Sequence, residues 1–538
     1  MKIKVVTILI IISLFHIVNN SIVLHQDQSV PVYDRASHIL SGYEIYKDYN
    51  IVSPHGLQKA YSYFYNIAGG YYPPFFYLTS APLFYLVALN SDFALYANIL
   101  YLFILMFSVY GIGKNLYDSK VGVLSAFVVS MFPGIFAFSR VAFLELPLTA
   151  MVTLSIFLLL STEHFRKRWL SFLFGLSIGL GMLTKWSFVV YVIGVLVYYV
   201  FISIKDNPED RKKFLLNISL ALFIAFIVSA PWYIANAIKL IKNILLISTW
   251  EGAYTGKPLL FHLLFYIRSL YLYQMYPFLF LLFTPLFFKH LIRKKWVIVL
   301  WLIAPFILFT VLTNKDVRYT MPMLPAIGII IASEAAQLRK GILVTVCSFL
   351  LFQFFLLSYL PTSVFNSMQL RTHPFGIDFN YAEYKDSDPL FETGILFPDR
   401  RGHMRREQAR QIVSVFKRHK GRDNDSLKVL FTFNIGKIYY SVLFALAQEN
   451  LRPLVHCPAM KDMAFIGEFL KKDFNYDNYL LKHDIIVTKS GYKGGNGTRQ
   501  VDVLGKLDKA FFRNKDSFVL IDSLENDDGS KVCIYKRI

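Results

Sequence analysis

Residues 74–90, PFFYLTSAPLFYLVALN, form an apolar piece that opens on Pro74 and is interrupted by Pro82. About 17 residues is the lower limit for a helix that crosses a ~30 Å hydrocarbon layer at about 1.5 Å per residue. Whether this piece crosses sets the side of every loop that follows it.

Eleven other apolar runs lie between charged breaks, at 3–23, 93–112, 121–138, 143–160, 169–184, 186–203, 214–234, 268–289, 296–312, 319–337 and 341–360. If 74–90 does not cross, the loops 113–120, 161–168, 204–213, 289–295 and 338–340 all face the cytosol, and together they carry 15 Lys and Arg. That is the distribution the positive-inside rule requires. If 74–90 crosses, all 15 move outside. We therefore read 74–90 as a helix lying in or dipping into the outer interface. The N-terminus is then cytoplasmic, and the first loop (25–92), the turn 139–145, the segment 235–267 and the C-terminal tail share the outer face.

Composition agrees with a polytopic chain. Of 538 residues, 55% are hydrophobic and 17% aromatic, well above a soluble domain. The apolar runs end before residue 361. The expected architecture is an α-helical polytopic membrane domain of about 11 spans (1–360), followed by a soluble extracytoplasmic α/β domain (361–538). The net charge of +20 is concentrated in the membrane half, which holds 28 basic and 14 acidic residues against 28 and 22 in the tail. Such charge sets topology or meets anionic lipid; no nucleic-acid partner is expected. Lys2 and Lys4 ahead of VVTILIIISLFHIV resemble a signal peptide, but no A-x-A-like site follows, so the run reads as a retained helix.

Cys347, Cys457 and Cys533 offer no metal-ligand spacing, and only Cys457 and Cys533 suit a bridge in an oxidising compartment. In the tail, LKVLFTFN (427–434), HDIIVTKSG and FVLIDSLENDDGSKVCIYKR read as strands, the last as a hairpin around Asp-Asp-Gly, with YSVLFALAQEN a helix. Nine Lys and Arg within 400–422 read as a solvated helix face, with contact to headgroups or a glycan as the alternative. Asn496-Gly497-Thr498 has sequon form, and GYKGGNGT lacks the ending of a phosphate loop.

Only eight acids of the first 360 residues face outward: Asp27, Asp34, Glu44, Asp48, Asp92, Glu145, Glu251 and Asp316. Asp34 opens a stretch in which Asp34, His38 and Ser41 or Gly42 fall at helical spacing, with Ile39, Leu40 and Tyr43 on another side. This suits an amphipathic helix on the membrane, with helix capping as the plainer role. Glu145 lies between two spans, where a buried carboxylate is costly and asks for a partner or a function; Arg140 in the same turn is the nearest cation. Lys185 follows Gly175, Gly179 and Gly181, which permit close helix approach, and it either snorkels or binds a lipid phosphate. Arg268, and Arg318 with Tyr319 beside Pro322 and Pro325, occupy comparable outer positions and suit an anionic headgroup.

YDRASHILSG, YYPPFFYLTSAPLFYL, SRVAFLELPLT, GLGMLTKW, APWYIANA (230–237) and RYTMPMLPA (318–326) occur in order over roughly residues 1–340. In these the chain resembles the C-type membrane glycosyltransferases of the protein O-mannosyltransferase and lipid A aminoarabinose transferase group. The resemblance implies transfer of a sugar from a polyprenyl-phosphate carrier, on the outer face of the cell membrane, to an acceptor lipid, glycan or protein. It places the catalytic acid at Asp34. Two departures stand out. Arg35 follows Asp34 where the protein mannosyltransferases have an Asp-Glu pair, and Tyr72-Pro73-Pro74 stands where the aminoarabinose transferases have Lys-Pro-Pro.

The chemistry needs one base for the acceptor proton and cations for the departing phosphate. Asp34 is assigned as base and Glu145 as its support or the acceptor's. Lys185, Arg268, Arg318, Tyr319, Arg140, His55 and Tyr72 form the expected substrate-binding set. A single base and direct displacement invert the anomeric centre. Two outer acids leave room for a divalent cation, though no ligand set is visible and no cofactor is assigned. A transporter or flippase for the same lipid is the competing reading, disfavoured by the absence of two matching halves with paired broken helices.

Overall fold

The computed structural model describes residues 3–26, 30–31, 33–48, 71–90, 92–206, 211–249, 258–312, 315–359, 406–419, 427–432, 436–449, 454–456, 473–489, 499–525 and 531–538. The described residues fall into two units. One takes in those of 1–26, 41–88 and 92–399, and the other those of 27–40, 89–91 and 400–538. The stretch 27–40, read from sequence as part of the first outer loop of the membrane domain, thus groups with the tail.

The first unit is helical. It contains α1 (Ile3–Gln26), the second half of α2 (Tyr33–Asp48) and the short α3 (Phe75–Ser80), which runs into a 3-10 turn (Ala81–Tyr85). Then come α4 (Phe93–Leu116), α5 (Ser119–Ser130), α6 (Pro133–Phe138), α7 (Glu145–Ser161), α8 (Arg168–Met182), α9 (Phe188–Asp206) and α10 (Arg211–Thr249). The set closes with α11 (Leu259–Ser269), which continues as a π turn (Leu270–Gln274), α12 (Pro277–Ile292), α13 (Trp296–Val311), a 3-10 turn (Val317–Met323), α14 (Leu324–Ala335) and α15 (Lys340–Tyr359). Residues 74–90 make six α-helical and five 3-10 residues, far short of the ~20 a crossing needs. Among the described residues, α1, α4, α9, α10 and α15 are each long and apolar enough to cross a membrane. The apolar pair α12 and α13 turns by 119° at its junction.

Several expected spans are broken where proline dictates it. The run 121–138 stops at Ser130, and Pro133, which has no N–H to donate, starts a new helix. The run 268–289 breaks between the π turn and Pro277, and 319–337 opens as a 3-10 turn through Pro322. In contrast α10 continues through Pro231 to Thr249, well beyond the expected end at 234.

The expected close approach at the α8 glycines is present. A Cβ on Gly175 would stand 2.3 Å from the Ala221 carbonyl oxygen of α10, and one on Gly179 would stand 2.7 Å from Cβ of Val228. Two helices pack backbone to backbone here because no side chain intervenes.

The tail of the second unit holds α16 (Arg406–His419), β1 (Lys428–Phe431), α17 (Gly436–Gln448), β2 (Leu454–His456), α18 (Tyr476–Leu480), β3 (Ile485–Lys489), α19 (Arg499–Arg513), β4 (Phe518–Glu525) and β5 (Lys531–Arg537). The sheet order is β2-β1-β3-β5-β4, with β1 parallel to β2 and β3, and β5 antiparallel to β3 and β4. The strands expected at 427–434, at HDIIVTKSG and in the last pair are found, whereas β2 and α19 were not foreseen. The residues Asp-Asp-Gly, Cys457 and the Asn496 sequon lie outside the described residues. Cys347 and Cys533, the latter in β5, are free thiols. The basic helix α16 buries Ala409, Ile412, Val413 and Phe416 and sets Lys417 against Glu449 at 2.6 Å, as a solvated face over an apolar stripe should. A bidentate bond from Arg513 holds the Asp477 carboxyl below the usual range, and burial raises that of Asp508.

Candidate active site

The site begins with Glu145, the first residue of α7, whose side chain is 2% exposed. The turn that delivers it is fastened from α4. Asn98 directs its Nδ2 to the carbonyls of Phe138, Ser139 and Val141 at 3.4, 3.2 and 2.8 Å. The Phe138 and Val141 carbonyls also accept the backbone N–H groups of Val141 and Phe143, whereas the Ser139 carbonyl has the Asn98 amide as its donor at the exit of α6.

Lys185 stands just past the end of α8 and donates to Glu145 Oε1 at 2.7 Å. Arg318, at the start of the 3-10 turn, brings Nε to 3.6 Å from the same oxygen and donates to Asp316 Oδ2 at 2.7 Å. Asp316 also accepts from the Arg318 backbone N–H, which caps the turn. The result is a four-membered chain, Lys185–Glu145–Arg318–Asp316. Its four side chains come from the N-terminus of α7, the C-terminal side of α8 and the α13 to 3-10 connection. Phe143 lies under the Arg318 guanidinium at 4.9 Å, and the Tyr319 ring is 5.8 Å from Lys185 Nζ. Tyr191 of α9 fixes that backbone by donating to the Tyr319 carbonyl at 2.7 Å.

A further cation is close in sequence. Lys315 donates to the carbonyls of Phe309 and Thr310 at 3.1 and 2.8 Å, closing the C-terminal end of α13, and faces the Tyr266 ring at 5.2 Å. Its burial lowers its pKa to about 8. Tyr71 and Tyr72 pack edge to face at 4.4 Å, and a few residues on the Phe75 N–H donates to the Leu183 carbonyl at 2.9 Å. The Tyr-Tyr-Pro-Pro segment is thereby tied to the α8 end that carries Lys185. Arg268 is on α11, whose last residue, Ser269, donates to the Val317 carbonyl at 3.2 Å.

The structure thus brings Glu145, Lys185, Arg318 and Tyr319 together, with Tyr72 tethered to the same helix end. It corrects one pairing. The hydrogen bonds of Arg140 run from Nε to Asn20 of α1 at 3.1 Å and from Nη2 to Ser358 of α15 at 2.6 Å, with Phe136 beneath its guanidinium. Arg140 therefore joins α1 and α15, while the cations on Glu145 are Lys185 and Arg318. Asp34 sits in the first turn of α2, half-buried, in the stretch that groups with the second unit. Arg35, His38 and Ile39 are all buried, so α2 has no single wet face, against the expected amphipathic pattern. His55 lies outside the described residues. Among the described residues no three His, Cys, Asp or Glu side chains converge as a metal site. Asp316, Lys315 and Tyr191 were not foreseen as site residues, although Asp316 stood among the eight outer acids.

Residues 72–234 match the family model of dolichyl-phosphate-mannose-protein mannosyltransferase. No curated protein sequence matches. The fold is that of ArnT from Cupriavidus metallidurans in its undecaprenyl-phosphate-bound crystal structure, with a TM-score of 0.62 at 10% identity, covering 99% of this chain and 98% of that one. The apo structure of the same protein gives 0.59 at 12% identity, covering 98% and 97%. Archaeal oligosaccharyltransferase AglB from Archaeoglobus fulgidus, in complex with an inhibitory peptide and a dolichol-phosphate, gives 0.50 at 11% identity, covering 99% of this chain and 74% of that one. These matches bear out the resemblance to the mannosyltransferase and ArnT-like group and a multi-pass helical membrane architecture.

Proposed function

We propose that the protein is an integral membrane glycosyltransferase that moves a sugar from a polyprenyl-phosphate donor to an acceptor on the outer face of the membrane. The observation that carries this reading is the Lys185–Glu145–Arg318–Asp316 chain, built on a buried Lys185–Glu145 pair, in an ArnT-like fold. Burying the Glu145 and Lys185 charges at the ends of membrane helices is costly, and such charges are kept where they act.

In the proposed reaction an acceptor oxygen attacks the anomeric carbon, the bond from that carbon to the phosphate oxygen breaks, and the polyprenyl phosphate leaves with the bonding pair. Asp34 takes the acceptor proton, an assignment that rests on the family resemblance. Lys185 and Arg318 neutralise the departing phosphate, with Lys185 supplying the charge that Tyr72 cannot. Glu145 holds both cations in place before the phosphate arrives. With Lys185, Arg318, Lys315 and Arg268 against Glu145 and Asp316, the balance of these residues is positive, as an anionic donor requires. A single displacement inverts the anomeric centre. The two carboxylates of the chain are each engaged by a cation, a donor set that does not suit a divalent ion, and no step is routed through a metal. Eleven spans, an outer first loop and an outer tail follow from the loop charges and complete the proposed topology.

The test is transfer of label from a radiolabelled polyprenyl-phosphate sugar to cell-envelope acceptors by purified protein. Label on an acceptor, lost in Asp34→Asn while folded protein is retained, supports the reading. Lipid that crosses the bilayer without transfer overturns it in favour of a flippase, and full turnover in Asp34→Asn removes Asp34 from the mechanism.

A further inference from the structure

The ends of α7 and α8 away from Glu145 and Lys185 meet at the turn 162–167. Lys185 and Arg168 are separated by the length of α8, about 25 Å at 1.5 Å per residue. This turn is strained. Glu163, His164 and Phe165 have φ of 50°, 60° and 57°, a run of three side-chain-bearing residues in the left-handed region, where each costs roughly 1–2 kcal/mol. It is held by an amide of α10: Asn217 Nδ2 donates to the Phe165 carbonyl at 2.7 Å. The Tyr199 hydroxyl accepts from the His164 N–H at 3.1 Å, and the Phe165 ring is fully buried. A backbone fixed this firmly aims the three cations next in the chain, Arg166, Lys167 and Arg168.

Beside the turn, between the starts of α8 and α10, lies a groove of about 760 Å³ lined by Arg168, Lys213, Asn217, Leu216, Leu220 and Phe223. It has the two ends of a phospholipid site. Arg168 and Lys213 stand exposed at the mouth, and among the described residues neither is in an ion pair. Glu163, the acid of the neighbouring turn, is taken by Lys167 at 2.5 Å. Deeper along α10, Leu216 and Phe223 are 71% and 59% exposed, as side chains that face acyl chains are. Trp169 is 67% exposed and stacked on Phe172 at 5.2 Å, next to Arg168, and an exposed tryptophan of this kind marks headgroup depth.

We propose that this groove binds an anionic phospholipid from the leaflet opposite the Glu145 site. Its phosphate lies between Arg168 and Lys213, and one acyl chain lies along Leu216, Leu220 and Phe223. Charge complementarity selects the headgroup, since two exposed cations with no acid partner among the described residues favour net negative over zwitterionic lipid. The inference is independent of the proposed transfer reaction.

The experiment is native mass spectrometry of the full chain in detergent, with phosphatidylglycerol and phosphatidylcholine supplied in equal amounts. Wild type is expected to retain one phosphatidylglycerol with about tenfold preference. The double variant Arg168→Gln/Lys213→Gln should lose that preference while remaining monodisperse, and Lys340→Gln, which alters an exposed cation elsewhere, should keep it. Equal retention of the two lipids by wild type, or undiminished preference in the double variant, overturns the proposal. Displacement of the lipid by sn-glycerol 3-phosphate also overturns it, because the groove then reads a free phosphate rather than a lipid. If the double variant does not fold, Phe223→Ala serves in its place and should weaken retention without abolishing the headgroup preference; unchanged retention counts against the acyl-chain placement and overturns the proposal.

Discussion

Helix α7 ends in two turns built on the same plan and put to opposite use. At its start the turn 138–144 is fastened by Asn98 from α4, and at its end the turn 162–167 is fastened by Asn217 from α10. Each turn is accompanied by an ion pair of nearly equal length, Lys185–Glu145 at 2.7 Å and Lys167–Glu163 at 2.5 Å. The difference is exposure. Glu145 and Lys185 are 2% and 10% exposed at the side chain, whereas Glu163 and Lys167 are 61% and 50% exposed. Distance alone does not say what a pair does. A buried pair is held by the penalty for leaving either charge alone, and an exposed pair by a Coulomb term that water and salt weaken.

The largest effect is therefore expected at the buried end. Glu145→Gln leaves Lys185 buried without its carboxylate and should destabilise the unit by about 3–5 kcal/mol, with transfer activity falling at least tenfold. The double variant Glu145→Gln/Lys185→Met removes both charges and should recover a good part of the stability while remaining inactive. Thermal unfolding of the detergent-purified variants checks the first statement and the labelled-donor assay the second. Additive losses in the double variant would mean that the two side chains do not act as a pair.

A smaller effect separates the two asparagines. Each to alanine removes the amide donor of one carbonyl, that of Ser139 or that of Phe165, and should cost about 1–3 kcal/mol. Only Asn98→Ala, which loosens the turn carrying Glu145, should lower kcat with KM little changed; Asn217→Ala should leave turnover intact. Equal losses of kcat in both would show that the variants report general loosening of the helices and not the placement of Glu145.

The individual members of the site were legible in sequence because charge is scarce in apolar surroundings, and Glu145, Lys185 and Arg318 each stood out on that ground, Tyr319 as the neighbour of Arg318. Their partnership was not. Arg140, five residues from Glu145, was the natural partner by proximity, yet its hydrogen bonds go to Asn20 and Ser358 on helices far away in the chain, and the partner of Glu145 lies 40 positions on. Hydropathy locates a helix but carries no information on which face of it meets which neighbour. Asn98 was invisible for the same reason, since one amide in an apolar helix acquires meaning only when three carbonyls surround it. The helix breaks at Pro133 and Pro277 had a local signal that runs of hydrophobicity outweighed. In the tail, α19 buries Leu507, Ala510 and Phe511 at spacings of three and one, a pattern readable in principle but overshadowed by the Gly-rich stretch before it.

The smallest effect belongs to the exposed pair. Glu163→Gln removes a contact shorter than the one at Glu145, and a reading by distance would expect an equal or larger cost. The exposure of both side chains argues otherwise: water competes for each charge, and ordering the Lys167 side chain offsets much of the attraction. The expected loss is below about 1 kcal/mol at low salt and fades as ionic strength rises past ~0.15 M, where the screening length falls to ~8 Å. The salt series also distinguishes the pair from the strained turn beneath it. Strain at φ of 50° to 60° is insensitive to salt, so a loss that persists at high ionic strength would mean that Glu163 stabilises the left-handed backbone itself, and the two ends of α7 would then differ less than their exposure implies.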